Sequence, residues 1–95
     1  MVKTFLFLAA ACAGLAASAA PSMAADPAFC AQYAQQAVHE VDVNMSIPGC
    51  FKGFDARWNR DYGVHYGWCL GAPYEAANRE RAIRAERLRE CRLRY

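Results

Sequence analysis

Four cysteines, Cys30, Cys50, Cys69 and Cys91, cut most of the chain into segments of about twenty residues. No other feature restricts the fold as strongly. An even number of cysteines in a short exported chain reads as disulfides rather than free thiols. Zinc is the competing reading, and it wants at least one close C-x2-4-C or H-x3-5-H pair. Neither these cysteines nor the two histidines, His39 and His65, are spaced that way. The expectation is therefore two disulfides, with no metal and no other cofactor.

Export is read from the N-terminus. Lys3 precedes an uncharged Ala/Leu/Phe run from Phe5 to Ala17, Pro21 breaks it, and Ser22-Met23-Ala24 places small residues where a signal peptidase reads. Segment 1–24 is expected to be a signal peptide and 25–95 the mature domain. The apolar run is shorter and poorer in bulky residues than the roughly 20 needed to span a bilayer, so no transmembrane segment is expected in the mature chain. Cys12 is the fifth cysteine and would leave with the signal. As a lipid-bearing cysteine it is disfavoured, because Ala9 stands where a branched apolar residue is wanted. The 71 residues that remain bury too little apolar surface to be comfortable without staples.

Helix signals fill the segments between the cysteines. Asp26-Pro27 offers an N-cap followed by proline at the first helical position. Cys30, Tyr33, Ala34, Ala37, Val38, Val41 and Met45 then fall on one helical stripe. Ile47-Pro48-Gly49 ends it. Residues 50–57 read as a loop. Trp58, Tyr62, His65, Tyr66 and Cys69 recur at helical intervals, with Asn59 as N-cap, although Gly63 and Gly67 each weaken such a helix by about 1 kcal/mol. Pro73 opens a third helix running to about Leu93, with Glu75–Arg79, Glu80–Arg84 and Glu90–Arg94 as i,i+4 pairs.

Helix length restricts the pairing of the cysteines. The first helix carries the chain about 21 Å from Cys30, and the few residues left before Cys50 would have to return fully extended, at ~3.3–3.6 Å each. Cys69 and Cys91 meet the same obstacle. Two pairings remain. An all-α, up-down-up three-helix bundle joins Cys30 to Cys69 and Cys50 to Cys91, whereas a hairpin of the outer helices nests Cys50–Cys69 inside Cys30–Cys91. The helical pattern of the middle segment favours the bundle.

The strings CAQYAQQAV from Cys30, CFKGF from Cys50 and RWNRDYGVHYGWCL from Arg57, followed by an Arg-rich helix ending in a cysteine, resemble a group of small exported four-cysteine alphaproteobacterial proteins of unknown function. Trp58, His65, Trp68 and Cys69 carry the most specific part of that pattern. The resemblance spans the mature chain and implies export and disulfides. It implies no activity, so no functional residue is carried over from it.

The chemistry-bearing residues divide into two groups. The aromatic stretch 58–69 suits either a small core packed on a disulfide or a ligand pocket, and a core is the simpler expectation, with Trp58 buried and Trp68 at least partly exposed. His65 is expected to be a hydrogen-bonded structural residue, because a disulfide at Cys69 removes the thiolate from the His65/Cys69 pair. Ser46 is the only Ser or Thr after residue 24, which leaves acyl-transfer chemistry without a placed nucleophile. No catalytic residue is assigned, and an enzyme is the poorer expectation. Asn44-Met45-Ser46 is a glycosylation sequon, relevant only in a eukaryotic secretory pathway.

The second group is basic. Residues 25–74 carry three basic and five acidic side chains, whereas from Glu75 onward seven Arg face four Glu. A solvated, salt-bridged helix face is the plain reading of that run. Its functional reading is a surface for an acidic envelope component or an envelope protein, with Arg81, Arg84 and Arg92 as candidate contacts and His65 and Trp68 as candidates on the aromatic stretch. A net charge of only +2 is too small for a dedicated nucleic-acid binder. The expected role is a non-enzymatic binding or structural module of the bacterial cell envelope, periplasmic or secreted. The alternatives are an inhibitor of an envelope hydrolase, and a carrier of a small ligand or metal that uses residues 58–69.

Overall fold

In the computed structural model, which describes residues 24–95, the first helix starts where its capping signal stands. The segment expected to be a signal peptide lies outside the described residues except for Ala24. In α1 (Pro27–Ser46) the Asp26 carboxylate accepts a hydrogen bond from the Phe29 N–H at 2.8 Å, with Pro27 at the start. Cys30, Tyr33, Ala34, Ala37 and Val41 are buried as their spacing predicts. The stripe's limits differ from expectation. Val38 is only half-buried and Met45 is exposed, while Glu40 and Asn44 on the other flank are buried. At about 100° per residue that flank is the one α3 covers.

After α1, Ile47-Pro48-Gly49-Cys50 forms a turn closed by the Cys50 N–H on the Ile47 carbonyl at 3.0 Å. Pro48 fixes the first corner and Gly49 adopts φ +83° at the second, the conformation a type II turn requires of that position. This turn brings Cys50 back beside the bundle.

The second helix, α2 (Tyr62–Leu70), begins later than the sequence pattern implies. Trp58 is therefore not on the helix. The cause lies in short polar side chains that compete for backbone donors. Asp55 Oδ1 accepts from the N–H groups of both Arg57 and Trp58, Asn59 Oδ1 accepts from the Asp61 N–H, and Asp61 in turn caps α2 through the Gly63 N–H. The expectation that Asn59 is the N-cap is corrected to Asp61, and Trp58, expected to be buried, is half-buried in the loop.

The third helix is α3 (Tyr74–Arg94), entered directly from Pro73. Of the three expected i,i+4 pairs only Glu80–Arg84 comes within 4 Å, at 3.8 Å, and Glu86–Arg89 pairs instead. Glu75 and Glu90 are exposed, where an ion pair gains little over hydration.

The three helices run up, down and up. Cys30 is bonded to Cys69 and Cys50 to Cys91, with Cα separations of 5.5 and 5.9 Å. The bundle pairing is thus the one formed, and the nested alternative is excluded. Ala25, Cys30, Tyr33, Cys69 and Ala77 make the main core, with Phe29 and Tyr66 packed on it. Tyr33 of α1 is its central aromatic side chain. The aromatic stretch 58–69 contributes less to the core than expected, since Tyr62 is 41% exposed and Trp58 only half-buried, whereas Trp68, at 45%, is exposed as expected.

Beyond the core position of Ala77 and the edge-to-face Phe29–Tyr74 ring pair, α1 and α3 are joined by polar bonds. The Tyr74 hydroxyl donates to Asp26 at 2.6 Å, and Arg81 donates twice to Gln36 Oε1 at 3.1 and 2.8 Å. Arg84 donates to Glu40 at 3.0 Å, and the Cys50–Cys91 bridge closes the far end. Because the numbers rise together on both helices, α1 and α3 are parallel. Tyr74 holds the Asp26 carboxyl below the usual carboxylate range, and Asp26 correspondingly raises the Tyr74 phenol.

Candidate binding clefts

The side chains singled out in the sequence occupy three kinds of position. Arg84 is buried, at 1% exposure. Its Nε donates to Glu40, its Nη1 donates to the Tyr33 hydroxyl at 3.3 Å, and its guanidinium lies 4.9 Å from the centre of the Tyr33 ring. It is not a surface residue, which corrects the expectation of an exposed Arg81/Arg84/Arg92 face. The cause is that Arg84 is the one arginine of α3 opposite Glu40. Arg81 is half-buried, held by Gln36, and lies over the Phe29 ring at 5.7 Å. Arg92 is exposed and makes no ion pair within 4 Å among the described residues.

His65 is buried, and its Nε2 donates to the Asn59 carbonyl at 2.6 Å. That bond ties the first turn of α2 to the loop before it. Trp68 leans on Tyr33 with ring centres 5.6 Å apart. Burial raises the pKa of the Tyr33 phenol, against the opposing pull of Arg84.

Three of these residues share one cleft. His65, Trp68 and Arg84, with Tyr33, Val64, Arg57 and Glu80, line a space of about 250 Å³ between α1, α2 and α3. Most of its polar side chains are already engaged, His65 by the Asn59 carbonyl and the charged ones by carboxylate or guanidinium partners. Arg57 makes a two-pronged contact with Glu80, at 2.8 and 2.9 Å, and these bonds lower the Glu80 pKa and raise that of Arg57. Arg84 Nη2 is the exception, buried without a partner among the described residues. With two arginines facing Glu40 and Glu80, the charge here is balanced.

A second cleft lies at the other end of the bundle, around the Cys50–Cys91 bridge. It encloses about 510 Å³ and is lined by Lys52, Arg87, Glu90 and Arg94, with Trp58 and Tyr95 as aromatic walls and Asn44 from α1. Three cations face one carboxylate. None of the four makes an ion pair within 4 Å among the described residues. Asn44 is buried, and its Oδ1 has no hydrogen-bond partner there. The Gly49 turn packs directly on Tyr95, so closely that a Cβ at Gly49 would lie 2.7 Å from the ring.

This cleft has no linear signature in the sequence. Lys52 lies in a loop and Arg87 and Arg94 in a run of seven arginines, so only the meeting of Cys50 with Cys91 brings them together. That pairing was the available signal. The Ser46 hydroxyl donates to the Val43 carbonyl at 2.7 Å, and all four cysteines after residue 24 are disulfide-bonded. Among the described residues no helix is long and apolar enough to cross a membrane. No protein-family model, curated protein or solved structure matches the chain.

Proposed function

We propose that the protein is a non-enzymatic binding module of the bacterial cell envelope, exported in disulfide-bonded form, which holds an acidic envelope component through arginines that its fold leaves unpaired. Two disulfides are characteristic of an oxidising compartment, and the export reading of segment 1–24 agrees with them. One observation carries the functional reading. The cations divide into a structural set, Arg57, Arg60, Arg81, Arg84 and Arg89, each bonded to a neighbouring side chain, and a second set with no ion pair among the described residues. The second set is Lys52, Arg79, Arg87, Arg92 and Arg94, all exposed. Bonds to neighbouring side chains engage the first set alone. Arg92 and Arg94 also complement the C-terminal end of the α3 dipole, but Lys52 and Arg79 have no such role.

The test is retention on immobilised poly-aspartate and on phosphatidylglycerol vesicles, with neutral vesicles as control. Binding to at least one acidic surface should fall steeply from 50 to 500 mM salt, since exposed charges are screened within about 8 Å at physiological ionic strength. The pair Arg79→Gln/Arg92→Gln should weaken it with an unchanged melting temperature. Failure to bind either surface at low salt overturns the proposal.

A further inference from the structure

We infer that the cleft around the Cys50–Cys91 bridge is a binding site for an anionic saccharide unit: a six-membered sugar ring bearing a carboxylate or phosphate. The inference deepens the function proposed above and rests on it for the sign of the ligand's charge.

Size comes first. At about 510 Å³ the cleft lies within the roughly 300–1,000 Å³ usual for small-molecule sites, whereas the 250 Å³ cleft beside Trp68 falls below it. Charge comes second. Lys52, Arg87 and Arg94 outnumber Glu90, and no ion pair among the described residues uses them up. A guanidinium is suited to bidentate contact with a carboxylate or phosphate, and the two arginines here are free to make it.

Two further features call for more than a bare anion. Trp58 and Tyr95 line the same space, giving flat apolar surface beside the cations, on which the C–H face of a sugar ring can lie. Asn44, a 93% buried residue on the wall of the same space, leaves its Oδ1 without a donor among the described residues. A buried acceptor left unpaired is costly, and with a small turn of the Asn44 side chain toward the cleft a sugar hydroxyl would supply the missing donor. An aromatic anion would satisfy the cations and the walls but bring nothing to Asn44. Inorganic phosphate would satisfy the cations only.

The experiment is titration of the disulfide-bonded protein, in a Trp68→Phe background that leaves Trp58 as the sole tryptophan reporter. Four probes separate the parts: glucose 6-phosphate or glucuronate, glucose, phenyl phosphate, and inorganic phosphate. The charged sugars should quench or shift Trp58 emission saturably and bind at least about tenfold tighter than glucose or inorganic phosphate, the amount expected from one or two charge-assisted hydrogen bonds. Lys52→Gln/Arg87→Gln, both exposed positions, should reduce that affinity about tenfold or more with an unchanged melting temperature, and Arg79→Gln/Arg92→Gln should not. Inorganic phosphate binding as tightly as the sugar phosphate would overturn the inference in favour of a plain anion patch, and phenyl phosphate binding as tightly would overturn its saccharide part. Retention on acidic surfaces with no response to any probe overturns the cleft inference alone. Loss of both sinks it together with the function it rests on.

Discussion

Arg84 shows how residue type and residue role part company in this chain. In the sequence it is one of seven arginines on a helix and reads as a solvated charge. In the fold it has the largest fully buried side chain among the described residues, bonded to Glu40 and Tyr33. A buried pair of this kind adds little net stability over an apolar pair of the same shape, yet removing one member strands the other in a poorly solvated site. Arg84→Ala should therefore destabilise the protein by about 3–5 kcal/mol, because Glu40 would remain without its partner. Arg84→Ala/Glu40→Ala should cost less than Arg84→Ala alone, and urea melts of the two variants with the parent would measure the coupling. Equal costs would mean that Arg84 acts only through its packing against Tyr33. Any charge-neutralising experiment on α3 must accordingly leave Arg84 in place.

At the scale of elements, the Arg57–Glu80 pair links the loop before α2 to α3, and its titration gives a prediction with a definite sign. Arg57 holds the Glu80 pKa below its ordinary value, so near the ordinary glutamate pKa of about 4.3 the unfolded chain binds more protons than the folded one. The pair's stabilising contribution is then fully present above that pKa and is lost as pH falls through the lower folded value. Glu80→Gln should flatten the acid side of the stability profile, read from urea midpoints between pH 6 and 3. An unchanged slope would show that the pair is screened out in solution. The elements themselves were unevenly legible. α1 and α3 could be read because Asp26-Pro27, Pro48-Gly49 and Pro73 punctuate them. The start of α2 could not, because Trp58 continues its periodicity while Asp55 and Asn59 divert the backbone donors around it. The packing of α3 on α1 was hidden for a different reason: apolar periodicity does not register an interface made of Asp26–Tyr74, Gln36–Arg81 and Glu40–Arg84. Cysteine spacing, through helix length, narrowed the topology to two pairings, and the helical pattern of the middle segment pointed to the one that forms.

For the whole molecule, the two disulfides do unequal work. Each closes a loop of about forty residues, which in the chain-entropy model gives roughly 4 kcal/mol apiece. Together that is comparable to the total stability of a typical domain, about 5–15 kcal/mol, so full reduction should leave the chain at or below the edge of folding. The surroundings of the two bridges differ. Cys30–Cys69 sits among Tyr33, Ala25 and Ala77 in the main core, where α1 and α2 meet. Cys50–Cys91 closes the end of α3, where Leu88 is the sole large buried aliphatic side chain and Leu93 is 76% exposed. Removing the second bridge alone, as Cys50→Ser/Cys91→Ser, should loosen the end of α3 while the α1–α2 contact persists. In hydrogen exchange the amides of residues 85–94 would lose protection, and those of 30–42 and 65–70 would keep most of theirs. Because this bridge holds the Lys52 loop against the Arg87–Tyr95 end of α3, the same variant should also lose the saturable Trp58 response to a sugar phosphate. Uniform loss of protection along the chain would show instead that the bundle is a single cooperative unit, in which case neither bridge is subordinate to the other.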